Sequence, residues 1–200
     1  MTKARQRARA PQMQPAERRQ QLLAAGVACI AAKGIGATKH ADLARACKVS
    51  VPAVFTYFPN REALVTSILA EVGEKLLQHV IQPAQALPDP GQRLTATAPL
   101  FSECAAQQPD YVKVWLMWSM HFSPDVRAQY QKFETRVIDA LGKMIKEGTG
   151  SDGSEEDIQD RARMILASSA FLAKMVFDGV SEKRRNAFVE HVLEPLASTI

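Results

Sequence analysis

The stretch Thr38-Lys39-His40-Ala41-Asp42-Leu43-Ala44-Arg45-Ala46-Cys47-Lys48-Val49-Ser50-Val51-Pro52-Ala53-Val54-Phe55-Thr56-Tyr57-Phe58-Pro59-Asn60-Arg61-Glu62-Ala63-Leu64 sets the fold of the N-terminal part. Thr38 suits the N-cap of a short helix running to about Cys47, with Leu43 facing inward. Lys48-Val49 make a turn. Ser50 then caps a second short helix, Val51 to about Phe58, with Pro52 in the first turn, where a missing N–H is harmless. Pro59 ends it, because the residue before a proline is pushed out of the α region. Asn60 caps a long helix whose apolar ridge runs Leu64, Val65, Ile68, Leu69, Val72, Leu76 and Val80. Two short helices joined by a tight turn describe a helix-turn-helix.

Upstream, a helix begins near Pro15 and buries Leu23, Val27 and Ile30, and Gly34 supplies its stop. Residues 1–14 are basic and aperiodic, which predicts a flexible arm. Downstream, Pro83, Pro88, Pro90 and Gly91 mark a loop. Helices are expected at about 91–107, 109–121, 124–148, 155–180 and 183–198, separated by Pro109, Ser123-Pro124 and the run Gly148–Gly153. No period-2 run is present, so the fold class is all-α with about nine helices. The expected division is an arm (1–14), a helix-turn-helix domain (15–60) and a helical ligand-binding and dimerisation body (61–200).

Charge separates the same parts. The net charge of the 200 residues is a mild +4. Residues 1–61 carry eleven Lys/Arg against Glu17 and Asp42, a balance of +9, and the remainder balances at −5. A +9 segment of this size wants a polyanion, and double-stranded DNA leads. The 46% hydrophobic content is enough for a core and argues against disorder.

Several function classes drop out. No run of about 18 apolar residues exists, and no apolar core follows the basic N-terminus, so neither a membrane span nor a secretory leader is expected. The three cysteines, Cys29, Cys47 and Cys104, lack paired spacing; reduced thiols and a cytoplasmic protein are expected. Cys47 reads as a buried structural thiol. His40, His79, His121 and His191 are scattered, and no nucleophile elbow, P-loop or dinucleotide fingerprint occurs. No enzyme activity, metal or cofactor is expected.

The second short helix must enter a major groove, so its outer face must be slim. Val51, Pro52, Ala53 and Thr56 offer small groups for base edges, while Val54, Phe55 and Phe58 anchor the helix inward. Tyr57 offers a hydroxyl to a phosphate oxygen. Thr38 and Ser50, at helix N-termini, bring backbone N–H groups to phosphates. Lys39, His40 and Arg61 complete the expected DNA-binding set in this segment. Arg5, Arg7 and Arg9, in the arm, suit a narrow minor groove.

The quoted stretch resembles the DNA-binding signature of the TetR family, and Tyr57-Phe58-Pro59-Asn60-Arg61-Glu62-Ala63-Leu64 is a specific signal for it. The resemblance implies an Ω-shaped homodimer, with N-terminal readers and C-terminal regulatory domains whose last two helices build the dimer interface. A narrower set looks like the LuxR/HapR-type quorum-sensing master regulators: Gly34-Ile35-Gly36, His40-Ala41-Asp42, Val49-Ser50-Val51, Ala53-Val54-Phe55 and Lys113-Val114-Trp115 with Trp118-Ser119. That branch implies a regulator that both represses and activates. It often places Asn where this chain has Thr56, and Asn alone can contact adenine bidentately, so operator preference is expected to differ.

The C-terminal part carries a dense apolar run, Tyr111 to Trp118. The resemblance implies a ligand pocket there, with Trp115 or Trp118 lining it. Leu76, Val80, Cys104, Phe133, Val137, Phe171 and Met175 are the other expected wall residues, and few charges point to an apolar small molecule. An ordinary packed core is the competing reading. Stripes at 155–178 and 183–198 predict a homodimer. Two alternatives stand beside the global regulator: a local ligand-released repressor, and a helical small-molecule-binding protein without a DNA role.

Overall fold

The computed structural model describes residues 13–149 and 153–197, so Arg5, Arg7 and Arg9 lie outside the described residues. The described residues form nine continuous helices and no strand.

Helix α1 spans Pro15–Lys33. The Glu17 carboxylate accepts the Gln14 N–H at 3.1 Å, and Gly34 closes the helix at φ 88°. Its buried stripe is Leu22, Leu23, Val27 and Ile30. Helix α2 is His40–Cys47 and α3 is Val51–Tyr57. Between them Lys48 adopts φ 55°, the sharp left-handed step of the turn. Ser50 Oγ accepts the Ala53 N–H at 3.3 Å and caps α3.

Helix α4 is the spine. Asn60 Oδ1 accepts the Ala63 N–H at 2.7 Å and starts Arg61–Leu76, which runs through a π turn, Leu77–Ile81, into Gln82–Gln85. Here the sequence expectation is corrected. Pro83 does not open a loop, because it follows the last π bond (Gln82 N–H to Leu77 carbonyl) and the helix continues through it.

The body comprises α5 (Pro90–Gln107), α6 (Pro109–Ser119), α7 (Pro124–Thr149), α8 (Glu155–Phe177) and α9. Helix α9 runs Glu182–Phe188, through a second π turn Val189–Leu193, to Glu194–Ala197. Helix α6 packs across both α1 and α4, while α5, α7 and α8 pack on one another. One continuous core therefore joins the N-terminal helices to the body, with Leu64, Ile68, Val112 and Trp118 among its members.

Two close approaches hold α4 in place. A Cβ on Gly26 would lie 2.5 Å from Ile68 Cδ1, and one on Gly73 would lie 2.9 Å from Phe133 Cδ2. Glycine lets α1 settle onto α4 at one point and α7 onto it at the other.

Candidate nucleic-acid interface and apolar cavity

The N-terminal three helices enclose Leu43, Val54 and Phe58. Arg61 reaches back from the start of α4 and donates to the Ile35 and Gly36 carbonyls, both at 2.9 Å. That pair of bonds fixes the α1–α2 loop relative to the spine. Lys39, Arg45, Lys48, Ser50, Val51, Pro52 and Thr56 are exposed on this unit, Ala53 and Tyr57 half-buried. Thr56 Oγ1 donates to the Pro52 carbonyl at 3.3 Å, which leaves its oxygen and methyl group facing out.

Three expectations on this unit are corrected. Thr38 is fully buried, at 0% exposure, and its hydroxyl donates to the Gly34 carbonyl at 3.1 Å. Its side chain therefore does not cap α2, which begins after Lys39. The N-terminus of α2 is served instead by Asp42, whose carboxylate accepts the Lys39 N–H at 2.8 Å and pairs with Lys33. His40 is buried as well; its Nε2–H donates to the Phe58 carbonyl at 2.8 Å, so the ring braces α2 against the end of α3. Phe55 is not an inward anchor but 45% exposed, stacked on His40 with centroids 3.9 Å apart. The exposed cations Arg45 and Lys48 were absent from the expected set; their place beside a helix-turn-helix turn is the signal that marks them.

Burial pushes the Cys47 thiol up, and its Sγ lies 3.7 Å from the Gln21 carbonyl. A thiol held protonated is a poor nucleophile.

In the body, Leu76, Val80, Trp115, Phe133 and Val137 line one apolar cavity of about 50 Å³. The π turn supplies Leu77, Val80 and Ile81 to the same wall, and α5 and α8 supply Thr97, Phe101 and Ile165. The remaining expected wall residues lie elsewhere. Trp118 is 1% exposed and donates its indole N–H to the Val126 carbonyl at 3.1 Å, packed on Tyr130 and Phe133 beside the cavity. Cys104 is buried but outside the lining. Phe171 and Met175 project from the opposite side of α8, where Phe171 is 53% exposed and meets Phe188 across α9 with centroids 5.2 Å apart. Burial, with Glu134 adding to it, pushes the Tyr130 phenol up to about 12.

Residues 22–68 match the model of bacterial regulatory proteins of the tetR family. The chain carries the N-terminal domain of the TetR family. The match starts within α1 and ends in α4, so it takes in the buried His40, the α2–α3 turn and the Arg61 brace. Over 107 residues the chain is 32% identical to the HTH-type transcriptional regulator LuxR of Vibrio harveyi, a span of 54% of this chain and 52% of that protein. The chain thus matches about half the length of this relative. A TetR-like transcriptional regulator from Rhodococcus sp. RHA1 superposes with a TM-score of 0.74 at 19% identity, covering 93% of this chain and 96% of the other. FadR of Bacillus subtilis, solved with stearoyl-CoA, superposes with a TM-score of 0.74 at 18% identity over 90% of this chain and 98% of the other. The described residues have the TetR-like fold. No helix among the described residues is long and apolar enough to cross a membrane.

Proposed function

We propose that this chain is a dimeric, sequence-specific DNA-binding transcriptional regulator, located in the cytoplasm and without catalytic activity of its own. One observation carries the reading: α3 presents Ser50, Val51, Pro52 and Thr56 on an outer face clear of the core, flanked by exposed Lys39, Arg45 and Lys48. A slim helix of this kind fits a major groove, while the cations meet phosphates. Tyr57 and Arg61 sit at the edge of that face, and Arg5, Arg7 and Arg9 would extend it into a neighbouring minor groove. Two copies would join through the outer faces of α8 and α9, placing two readers on a two-fold operator.

The likeness to LuxR supports a quorum-sensing-type global regulator that represses some promoters and activates others. A local, ligand-released repressor is the second reading, favoured by the apolar cavity against α4. In either case, a ligand would act through α4, whose N-terminal end is braced to the reader by Arg61 and whose π turn lines the cavity.

Selection of bound duplexes from a random pool, followed by binding of the winner at several salt concentrations, tests the DNA reading. A palindromic consensus with steeply salt-dependent affinity is expected. Thr56→Ala should then change base preference at one position of each half-site. Failure to enrich any sequence would leave a ligand-binding protein without a DNA role. Genome-wide occupancy separates the global regulator from the local one, which would hold a single locus.

A further inference from the structure

Two stretches of the chain share one pattern: Leu77-Gln78-His79-Val80-Ile81-Gln82-Pro83 and Val189-Glu190-His191-Val192-Leu193-Glu194-Pro195. Position by position they run apolar, Gln or Glu, His, Val, apolar, Gln or Glu, Pro. Neither stretch marks a π turn when read alone. The structure sets them side by side, because the first five residues of each form a π turn, and these are the two π turns among the described residues. In both, the histidine Nδ1–H donates to the carbonyl four residues back, His79 to Lys75 at 3.0 Å and His191 to Ala187.

The proline shows what the wide turn accomplishes. In a regular α-helix the Pro83 ring would press on the His79 carbonyl and leave it without an N–H partner. The π turn opens the helix at that point: Gln82 N–H bonds to the Leu77 carbonyl, and the ordinary spacing resumes with Ala86 N–H to the Gln82 carbonyl at 3.0 Å. The helix continues, but with one bond fewer across the step, and π turns and prolines are where helices bend. The step also borders free volume, since Leu77, Val80 and Ile81 face the apolar cavity. The step in α9 is placed alike, with Val189 and Glu190 facing a cleft of about 490 Å³ between α5, α8 and α9.

In α4 the step separates two differently held halves. Arg61–Leu76 is tied to the reader by the Arg61 bonds and by the close packing of Ile68 on Gly26 of α1. Its polar ties to α7 lie near solvent: the Gln129 amide donates to the Thr66 carbonyl at 2.7 Å, and Arg136 pairs with Glu74. Beyond the step, Gln82–Gln85 packs on α5.

We propose that Leu77–Ile81 is a yielding step in the spine, and that it sets how strictly the two readers of a dimer demand one half-site spacing. One extra base pair between half-sites carries a reader about 3.4 Å along the duplex and about 34° around it. A stiff α4 would pass that displacement into the core. A step with an interrupted bonding pattern, beside a cavity, absorbs part of it by bending. The spacing claim rests on the dimeric DNA-binding reading above; the claim about the step does not.

Hydrogen exchange of the intact protein tests the step. The amides of residues 78–82 should exchange at least about tenfold faster than those of residues 68–72, which lie on the same buried ridge. Equal protection would overturn the proposal. A π turn holds one residue more than an α turn, so deleting Gln78 together with Pro83→Ala should straighten the helix and leave both flanks in phase. This variant should keep its helix content, protect residues 78–82 and bind the selected operator as the parent does. With one base pair inserted or removed between the half-sites, the parent should lose less than about tenfold in affinity and the variant more than about a hundredfold. Equal spacing penalties would sink the spacing claim. Pro83→Ala alone restores the N–H and should narrow the tolerance in the same direction, so the comparison stands even where the deletion fails to fold. If no operator can be selected, the DNA reading falls and the spacing claim with it, while exchange still decides the step.

Discussion

The Thr38 side chain is enclosed on all sides, and its only proton goes to the Gly34 carbonyl, at the C-terminal end of α1. A side chain in that position ties the end of α1 to the start of α2. Thr38→Val keeps the shape, removes the donor and leaves the part-buried Gly34 carbonyl without it, which costs about 1 kcal/mol. In a chain of this size the melting temperature should fall by roughly 2–4 °C. Operator preference should not change. Lower affinity at unchanged melting temperature would instead make Thr38 a DNA contact. The residue type alone misleads here. Threonine before a helix suggests a cap, and nothing in the local sequence says that the preceding loop turns a free carbonyl beneath it. His40 misleads in the same way, since its partner, the Phe58 carbonyl, is eighteen residues along the chain.

At the scale of elements, proline, glycine and capping residues made most helix limits readable, because each acts on its own few residues. The π turns had no such mark. They widen a helix in response to packing on several neighbours, and Leu77–Ile81 shows only an apolar ridge in sequence. The faces of α8 were equally ambiguous: a stripe is visible, but Ile165 turns to the cavity and Phe171 turns away. Helix α2 depends on Asp42 at its first turn. The Lys33 ammonium and the Lys39 N–H hold that carboxyl below its ordinary range. Its stabilisation is thus complete above the ordinary carboxylate range and is lost as pH falls through the lowered value. Asp42→Asn should cost roughly 0.5–1 kcal/mol at pH 7, a modest figure because the pair is near solvent. The gap between variant and parent should close on acidification, as denaturant midpoints at pH 7 and pH 3 would show. A constant gap would rule out the charge as its source. The α1–α4 contact yields a second expectation. Gly26→Ala places a methyl group against Ile68, and overpacking of this kind costs about 1–3 kcal/mol. Ile68→Val in the same chain should restore part of it, measurable by chemical denaturation.

At the scale of the whole molecule the charge divides at residue 61, and on the proposed function that division would bring the reader to DNA and hold the body away from it. The +9 of residues 1–61 would act locally against phosphates, whereas the −5 of the remainder would be repelled by the duplex. One reader of this size makes a small interface, and specific affinity then depends on two readers held at a fixed spacing. The face available for that purpose carries Met164 and Phe171, each 53% exposed, with Phe188 beside Phe171. Phe171→Glu puts a carboxylate in the middle of that apolar face, and in a two-fold interface it does so twice. The variant should sediment as a monomer at concentrations where the parent is a dimer, with the helix content unchanged. Its affinity for the selected palindrome should fall by more than about tenfold. The salt slope should drop towards half, since each phosphate that a protein neutralises adds about 0.9 to the steepness of log K against log salt, and one reader neutralises half as many as two. Binding to random DNA should fall far less. A dimeric Phe171→Glu with full operator affinity would move the subunit contact to another face of the body.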